Sequence, residues 1–161
     1  MEMSEYYTAV RSRVGRETIL VPMTVAIVLD ARGAVLLTRP SETERWDLPG
    51  GAMELGESVL GSLRRCLRDV AGVSSQRETF LGIYSGPAFE RLHSEGDVAP
   101  VTMVFIVRTT EPTDPTTALD RDRTPMRDWF ALDGLPDALD PAAERPLQDF
   151  IARSSRAPFL E

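Results

Sequence analysis

The chain has 161 residues with a formal net charge of −7, and 42% of its residues are hydrophobic while 27% are charged. This length and composition fit one globular domain with its own core, and they argue against a mostly disordered chain. The negative charge argues against a nucleic-acid partner, because affinity for that backbone depends on many Lys and Arg contacts. Residues 1–161 are therefore predicted to form a single domain, with a helical extension over residues 1–16.

Cysteine usage and apolar runs indicate the compartment. Cys66 is the only cysteine, so no intrachain disulfide forms and nothing requires an oxidising environment. The first fifteen residues carry acidic side chains and two tyrosines rather than a basic stretch followed by an apolar run, which does not read as a signal peptide. No apolar run approaches the length of a membrane span. We therefore expect a cytoplasmic protein without a membrane partner.

The first half of the chain predicts a helix, a hairpin and a second helix. Ser4–Val14 has helical spacing of its apolar residues. Thr24–Leu29 and Ala34–Thr38 are apolar runs on either side of turn-forming residues, which is typical of a β-hairpin. A glycine-rich loop then leads to a helical pattern over Glu57–Ala71, with Gly72 as its stop.

The second half predicts three strands and a last helix. The strands are expected at Phe80–Ser85, Val101–Arg108 and Asp128–Leu132, and the helix at Ala142–Arg153. Trp129 and Phe130, in the third of these strands, are expected to belong to the core. Hairpins alternating with helices favour an α/β fold, an α/β/α sandwich in which helices cover both faces of a mixed sheet.

The loop before the second helix carries the most informative motif. Glycines after Pro49 permit close approach of the backbone to a ligand, and a helix entered from such a loop offers N–H groups to anions. A fixed spacing over residues 51–73 relates Gly51, Glu57, Arg65, Leu67, Asp69, Gly72 and Val73. This is the spacing of the Nudix box, so the chain resembles a Nudix hydrolase.

The resemblance implies the α/β/α Nudix fold and a metal-dependent activity. In that family, box glutamates hold Mg²⁺ or Mn²⁺ against the diphosphate of a nucleoside diphosphate linked to another moiety, and water cleaves the bond. Oxygen ligands suit such cations, which neutralise phosphate charge and activate water. Carried over to this chain, the metal ligands are the Gly50 carbonyl, Glu57 and Asp69, and the catalytic residues are Glu57, Arg65 and Asp69.

The box departs from the family pattern where carboxylates are expected. Cys66 and Val70 stand at two positions that are glutamate in the family, and only Asp69 keeps an acid, so the metal site is expected to be weakened. Cys66 is predicted to be a buried, inert thiol rather than a soft-metal ligand. Glu57 either contacts the metal or braces the loop, Arg65 is expected to be a brace, and Glu54 contributes at most indirectly.

Substrate contacts are predicted on either side of the box. Arg39 and Arg45 are candidates for phosphate contacts, and Trp46 and Tyr84 are candidates for stacking on a base. Alternatively, Trp46 packs beneath the glycine-rich loop and anchors it.

Further acids and the single histidine have weaker support. A surface turn explains His93 and its neighbours better than catalysis does. The acids that could supply a base from outside the box are Glu95, Asp97, Asp120 and Asp122.

Two functions remain open at this stage. The first is metal-assisted hydrolysis with a reduced metal shell, and the second is a Nudix-fold module that binds a nucleotide derivative without cleaving it, since a fold alone does not establish activity. The wider apolar face at Cys66 and Val70 serves either a homodimer contact or core packing.

Overall fold

The computed structural model describes residues 5–39, 45–75, 77–91, 96–109 and 126–154. The helices of this part of the chain are α1 (Glu5–Val14), α2 (Val59–Cys66) with a π-helical turn directly after it (Leu67–Ala71), a 3₁₀ turn (Pro87–Phe89) and α3 (Pro141–Ser154). The strands are β1 (Ile19–Leu29), β2 (Val35–Arg39), β3 (Gly50–Ala52), β4 (Glu78–Tyr84), β5 (Val98–Arg108) and β6 (Met126–Phe130).

The strands form one mixed sheet in the order β4-β5-β1-β2-β6, with β3 also paired to β1. β1 and β5 run parallel from the pair Ile19 and Val98 to the pair Leu29 and Arg108. The other pairings are antiparallel, including the predicted hairpin of β1 and β2. The mixed sheet expected from the sequence is confirmed.

Helices cover both faces of this sheet. Successive residues of β1 point to opposite faces, so its side chains show which helix packs on each face. Val25 and Ile27 lie in a core cluster with Leu147 of α3. Ala26 and Val28 lie in a second cluster with Leu63 of α2. The α/β/α sandwich is therefore confirmed, with α2 on one face and α3 on the other. Trp129 packs against the α2 cluster and Phe130 against the α3 cluster, as expected for a core strand.

Several elements begin earlier than their sequence patterns predict. β1 starts at Ile19 rather than Thr24, and β5 starts at Val98 rather than Val101. The two extensions pair with each other in the parallel ladder. This pairing, rather than the local sequence pattern of either strand, accounts for the additional length. β6 covers Met126–Phe130 and so ends before Leu132, because it follows the length of β2.

The glycine-rich segment was predicted as a loop, and this was wrong for Gly50–Ala52, which forms β3. Glycine has a low strand propensity of its own. The pairing with Met23, Thr24 and Val25 of β1 fixes the extended conformation. A contact between segments distant in the chain thus overrides the local preference.

The predicted N-terminal helix is confirmed as α1. Its Tyr7 is buried in a third apolar cluster with Val21, Met23, Ala52 and Val98. In the described part of the chain, no helix is long and apolar enough to cross a membrane.

Candidate functional site

The box helix has well-defined ends. Ser58 has an extended backbone and its side chain accepts a hydrogen bond from the Gly61 N–H at 3.1 Å, which caps α2. The π-helical turn ends at Gly72, whose φ of +66° lies in the left-handed region that glycine adopts without strain. The predicted helix is therefore confirmed between these two limits, and Gly72 is its stop.

A bidentate ion pair joins the start of the box to its helix. Arg65 Nε donates to Glu57 Oε1 at 2.6 Å, and Arg65 Nη2 donates to Glu57 Oε2 at 3.0 Å and to the Ala52 carbonyl at 3.0 Å. The Glu54 N–H also donates to Glu57 Oε2 at 2.9 Å. Glu57 and Arg65 therefore brace β3, the box loop and α2 together, and both carboxylate oxygens of Glu57 are engaged.

The brace fixes the charge state of both partners. The hydrogen bond from Arg65 holds the pKa of Glu57 at about 2, well below the ordinary 4.5 of a glutamate. The same hydrogen bond raises the pKa of Arg65. Both side chains are half-buried, with 20% of Glu57 and 26% of Arg65 exposed, so solvent screens the pair only in part.

Asp69 is the one box acid of the π-helical turn. Its side chain is 44% exposed and lies 3.7 Å from Arg68 Nε, a loose contact between two solvated groups. Cys66 and Val70, the neighbours that replace family glutamates, are 2% and 9% exposed. The single chain therefore buries both residues itself, which favours core packing over a homodimer contact for this apolar face.

Cys66 belongs to a small buried polar cluster. The hydroxyls of Thr24 and Ser62, both fully buried, lie 3.1 Å apart. Both also hydrogen-bond to Cys66, yet burial outweighs them and raises the pKa of the thiol. The cluster is neutral, and it stands at a box position that carries a carboxylate in the family.

Cys66 is expected to react slowly with a thiol reagent in the native protein. Because the thiolate is the reactive form and the group is buried, the rate should be on the order of 100-fold below that of the unfolded chain at the same pH. The rate of modification with and without denaturant checks this. Equal rates would show that the thiol is accessible.

The register of β3 places the Gly50 carbonyl away from β1. The Ala26 N–H donates to Pro49 O at 2.9 Å, and the Met53 N–H donates to Pro22 O at 3.0 Å. Hydrogen-bonded positions alternate in an antiparallel ladder, so Gly50 and Ala52 are the positions that point outward. The Ala52 carbonyl accepts from Arg65 on that side. The Gly50 carbonyl therefore faces the side of the sheet edge on which the box helix lies.

The divalent cation implied by the family does not fit a shell of several carboxylates here. The described residues contain no group of three or more His, Cys, Asp or Glu side chains placed to hold a metal ion. Glu57 is committed to Arg65, while Cys66 and Val70 are buried. Of the ligands that the family pattern implies, the exposed Asp69 carboxylate and the Gly50 carbonyl remain, and both are oxygen donors of the kind that a hard cation prefers.

The structure brings Arg39 and Trp46 together. The Arg39 guanidinium lies 5.2 Å from the centre of the Trp46 ring, within cation–π distance. The Trp46 ring also packs edge-on against Phe130 at 5.0 Å, and its backbone bonds to Ala138 and Asp140. Trp46 is thus an anchor for the loop, with Arg39 over one side of its ring.

Tyr84 lies on a different strand from Arg39 of this pair. Tyr84 is on the edge strand β4, separated from β2 by β5 and β1, and its hydroxyl donates to Asp149 Oδ2 at 3.1 Å. Arg45 is exposed at the start of the Trp46 segment. Tyr84 therefore packs with α3, three strands away from the strand that carries Arg39.

A half-buried ion cluster near the glycine-rich strand was missed in the sequence. Arg91 Nη2 donates to Asp47 Oδ2 at 2.7 Å and lies 3.8 Å from Asp140 Oδ1. Burial raises the pKa of Asp47, although Arg91 opposes the shift. Asp47 directly precedes Leu48 and the strand β3, so the cluster fixes the entry to the box. The adjacent Trp46 was the only sequence signal for it.

The remaining candidate acids contribute little to this picture. His93, Glu95, Asp120 and Asp122 lie outside the described residues. Asp97 is half-buried before β5, where its carbonyl accepts hydrogen bonds from Arg11 and Ile19. The described contacts of Asp97 therefore connect it to α1 and β1.

Comparison with known proteins defines the class. Residues 20–150 match the NUDIX domain, and the chain belongs to this family. It is 29% identical over 109 residues to 8-oxo-dGDP phosphatase NUDT18 of Danio rerio, covering 65% of this chain and 30% of that protein. It is 31% identical over 64 residues to a putative 8-oxo-dGTP diphosphatase of Bacillus subtilis, covering 40% and 43%. The matches thus span less than half of each relative.

Solved structures share the fold. The MutT NUDIX hydrolase of Burkholderia pseudomallei is 25% identical with a TM-score of 0.66, over 81% of this chain and 98% of that one. The MutT protein of Methanosarcina mazei Go1 is 21% identical with a TM-score of 0.65, over 87% and 98%. The Nudix fold expected from the box is therefore confirmed.

Proposed function

We propose that this chain hydrolyses a nucleoside diphosphate linked to another moiety, by attack of water on the diphosphate. Membership of the family and relatives named for 8-oxo-dGDP and 8-oxo-dGTP support a small nucleotide derivative as the substrate. The observation that carries the proposal is the intact brace of Glu57 and Arg65, which holds the box loop against α2, while Asp69, four residues after Arg65, keeps an exposed carboxylate.

The cation would be Mg²⁺ or Mn²⁺, held weakly by Asp69 and the Gly50 carbonyl. When bound, such an ion neutralises phosphate charge and lowers the pKa of a water molecule. Glu57 and Arg65, which the family pattern places in the catalytic machinery, act here by positioning. Arg65, in the last turn of α2, donates to the Ala52 carbonyl and so keeps β3 against this helix.

The Arg39 and Trp46 pair is proposed as part of the substrate surface. A guanidinium over an aromatic ring presents positive charge beside a flat apolar face, which suits a phosphate next to a base. The exposed Arg45 directly before Trp46 supplies a second cation for the phosphates. Tyr84 is not proposed as a substrate contact, because it lies on β4 and its hydroxyl is bonded to Asp149 of α3.

Asp69→Asn is expected to abolish most turnover, because it removes the one exposed carboxylate of the box turn without changing the size of the side chain. A loss of about 100-fold or more corresponds to removal of a group that acts in the transition state. Phosphate or nucleotide release from a panel of nucleoside diphosphate derivatives with Mg²⁺ or Mn²⁺ checks this. Asp137→Asn, on the exposed loop before α3, is the matched control. Equal turnover by Asp69→Asn and the native protein would contradict the proposal.

A nucleotide-binding module without hydrolysis is the second candidate. The burial of Cys66 and Val70 favours it, since a box with one exposed carboxylate binds divalent cations weakly. In that case the native protein would show no turnover across the panel. The same nucleotides would raise its midpoint of thermal unfolding, because a ligand that binds only the folded state stabilises it.

A further inference from the structure

The N-terminal helix α1 lies outside the segment that matches the family, yet it contacts the box loop. The backbone N–H groups of Glu5 and Tyr6 donate to Glu54 Oε1 and Oε2 at 3.0 and 3.5 Å. Glu54 follows β3, and its own N–H donates to Glu57 of the brace. A carboxylate at the start of a helix satisfies N–H groups that lack partners within the helix. Glu54 therefore connects the first turn of α1 to the brace of Glu57 and Arg65.

A buried arginine fixes the other end of α1. Arg11 is 8% exposed, and no carboxylate among the described residues pairs with it. Its charge lies at the carboxyl end of α1, where helix carbonyls favour a cation. The guanidinium and its Nε donate instead to the Tyr7 hydroxyl and to the carbonyls of Gly15, Glu17, Gly96 and Asp97.

Gly96 is shaped for this contact. Its φ of +124° is a conformation that residues with a side chain rarely adopt, and a methyl group there would overlap Arg11 Nη1. The carbonyls of Gly96 and Asp97 lead directly into β5, whose Val98 exchanges backbone hydrogen bonds with Arg91 at 2.9 Å. Arg91 in turn holds Asp47 at the entry to β3. Arg11 is thus connected to the Asp47 cluster through the start of β5 and Arg91.

Apolar contacts complete the attachment. Tyr7 packs with Val21 and Met23 of β1, Ala52 of β3 and Val98 of β5. Ala52 is the residue whose carbonyl accepts from Arg65 of the brace. α1 therefore contacts both β3, the strand that presents the Gly50 carbonyl, and the residue Glu54 in the loop after it.

We propose that α1 is a clamp that sets the position of the box loop, with Arg11 and Glu54 as positioning residues. Arg11 locks the helix onto the backbone before β5, and Glu54 transmits that position to Glu57. The clamp stands independently of the proposed hydrolysis, because it concerns the conformation of residues 52–58 rather than turnover. Glu54, which the sequence left as an indirect contributor to the metal, serves α1 instead.

Hydrogen exchange of the full chain tests the clamp without a substrate. Arg11→Met keeps the length and apolar stem of the side chain but leaves the carbonyls of Gly96 and Asp97 without this donor. We expect exchange to rise on the order of tenfold in α1 and in residues 52–58, while amides in the middle of β1 and β5 keep their protection. Arg13→Met, an exposed position on the same helix, is the matched control and should match the native protein.

Two further variants separate a clamp from general stability. Arg11→Lys, which retains part of the donor set, should give intermediate exchange in residues 52–58. Glu54→Ala leaves the core intact and should speed exchange in the first turn of α1 and in residues 54–57 by about fivefold, the factor expected for loss of a helix cap. Faster exchange in α1 with an unchanged box loop in both Arg11→Met and Glu54→Ala would overturn the proposal. If Arg11→Met does not fold, the Glu54→Ala result alone decides.

Discussion

Gly50→Ala is expected to separate β3 from β1 and to lower the free energy of unfolding by about 3 kcal/mol or more. A methyl group at this position would overlap the Thr24 carbonyl oxygen and lie 2.7 Å from the Val25 Cα atom. Both obstacles are backbone atoms, so no side-chain rotation relieves the overlap. Since β3 also carries the outward carbonyls of the box, the substitution should reduce any binding or turnover along with stability.

Urea unfolding of Gly50→Ala against Gly134→Ala measures this effect. An added methyl at Gly134 meets only Ala131 atoms at 3.9 Å, an ordinary van der Waals contact. That control should remain within about 0.5 kcal/mol of the native protein. Native stability of Gly50→Ala would mean that β3 does not approach β1 as closely as described.

Arg65→Met is expected to lower the free energy of unfolding by about 2 kcal/mol near neutral pH and by clearly less in acid. The substitution leaves the Glu57 carboxylate and the Ala52 carbonyl without their arginine donor. The pKa of Glu57 is about 2 in the folded protein, below its ordinary 4.5. Its contribution to stability is therefore complete above pH about 4.5 and is lost as the pH falls toward 2. Partial exposure of the pair limits the size of the effect.

Unfolding measured near pH 6.5 and near pH 3 distinguishes this brace from simple packing. The difference between native protein and Arg65→Met should shrink by about 1 kcal/mol at the lower pH. Arg64→Met is the matched control on the same helix: its partner Glu78 is buried, but Arg64 itself is 48% exposed. That substitution should lower the free energy of unfolding clearly less than Arg65→Met does, because solvent screens an exposed guanidinium. If Arg65→Met lowers the free energy of unfolding equally at both pH values, Arg65 stabilises the fold by packing rather than through its ion pair with Glu57.

Local signals in the sequence located the box helix well. A capping serine at its start and a left-handed Gly72 at its end act within a few residues, so pattern alone defines the element. The same applies to the hairpin of β1 and β2, which was predicted from two apolar runs with turn-forming residues between them. These features required no knowledge of distant contacts.

Contacts between distant segments account for what the sequence did not reveal. The strand Gly50–Ala52 exists because β1 pairs with it, and Trp46 is anchored by Phe130 and by backbone near α3. Arg11 reaches a carbonyl 85 residues away, which no local pattern encodes. The sequence likewise left open whether Glu57 is a brace or a metal ligand. The answer depends on the direction of the Arg65 side chain, which bonds to both carboxylate oxygens of Glu57.

The buried hydroxyls beside Cys66 bear on whether the lost carboxylates are easily regained in evolution. A glutamate restored at this position alone would enter a closed space lined by Thr24 and Ser62, where an unpaired charge is costly. A single change of Cys66 to glutamate should therefore lower the stability of the fold rather than rebuild a metal shell. The carboxylates of the family pattern should not be regained here by one substitution at a time.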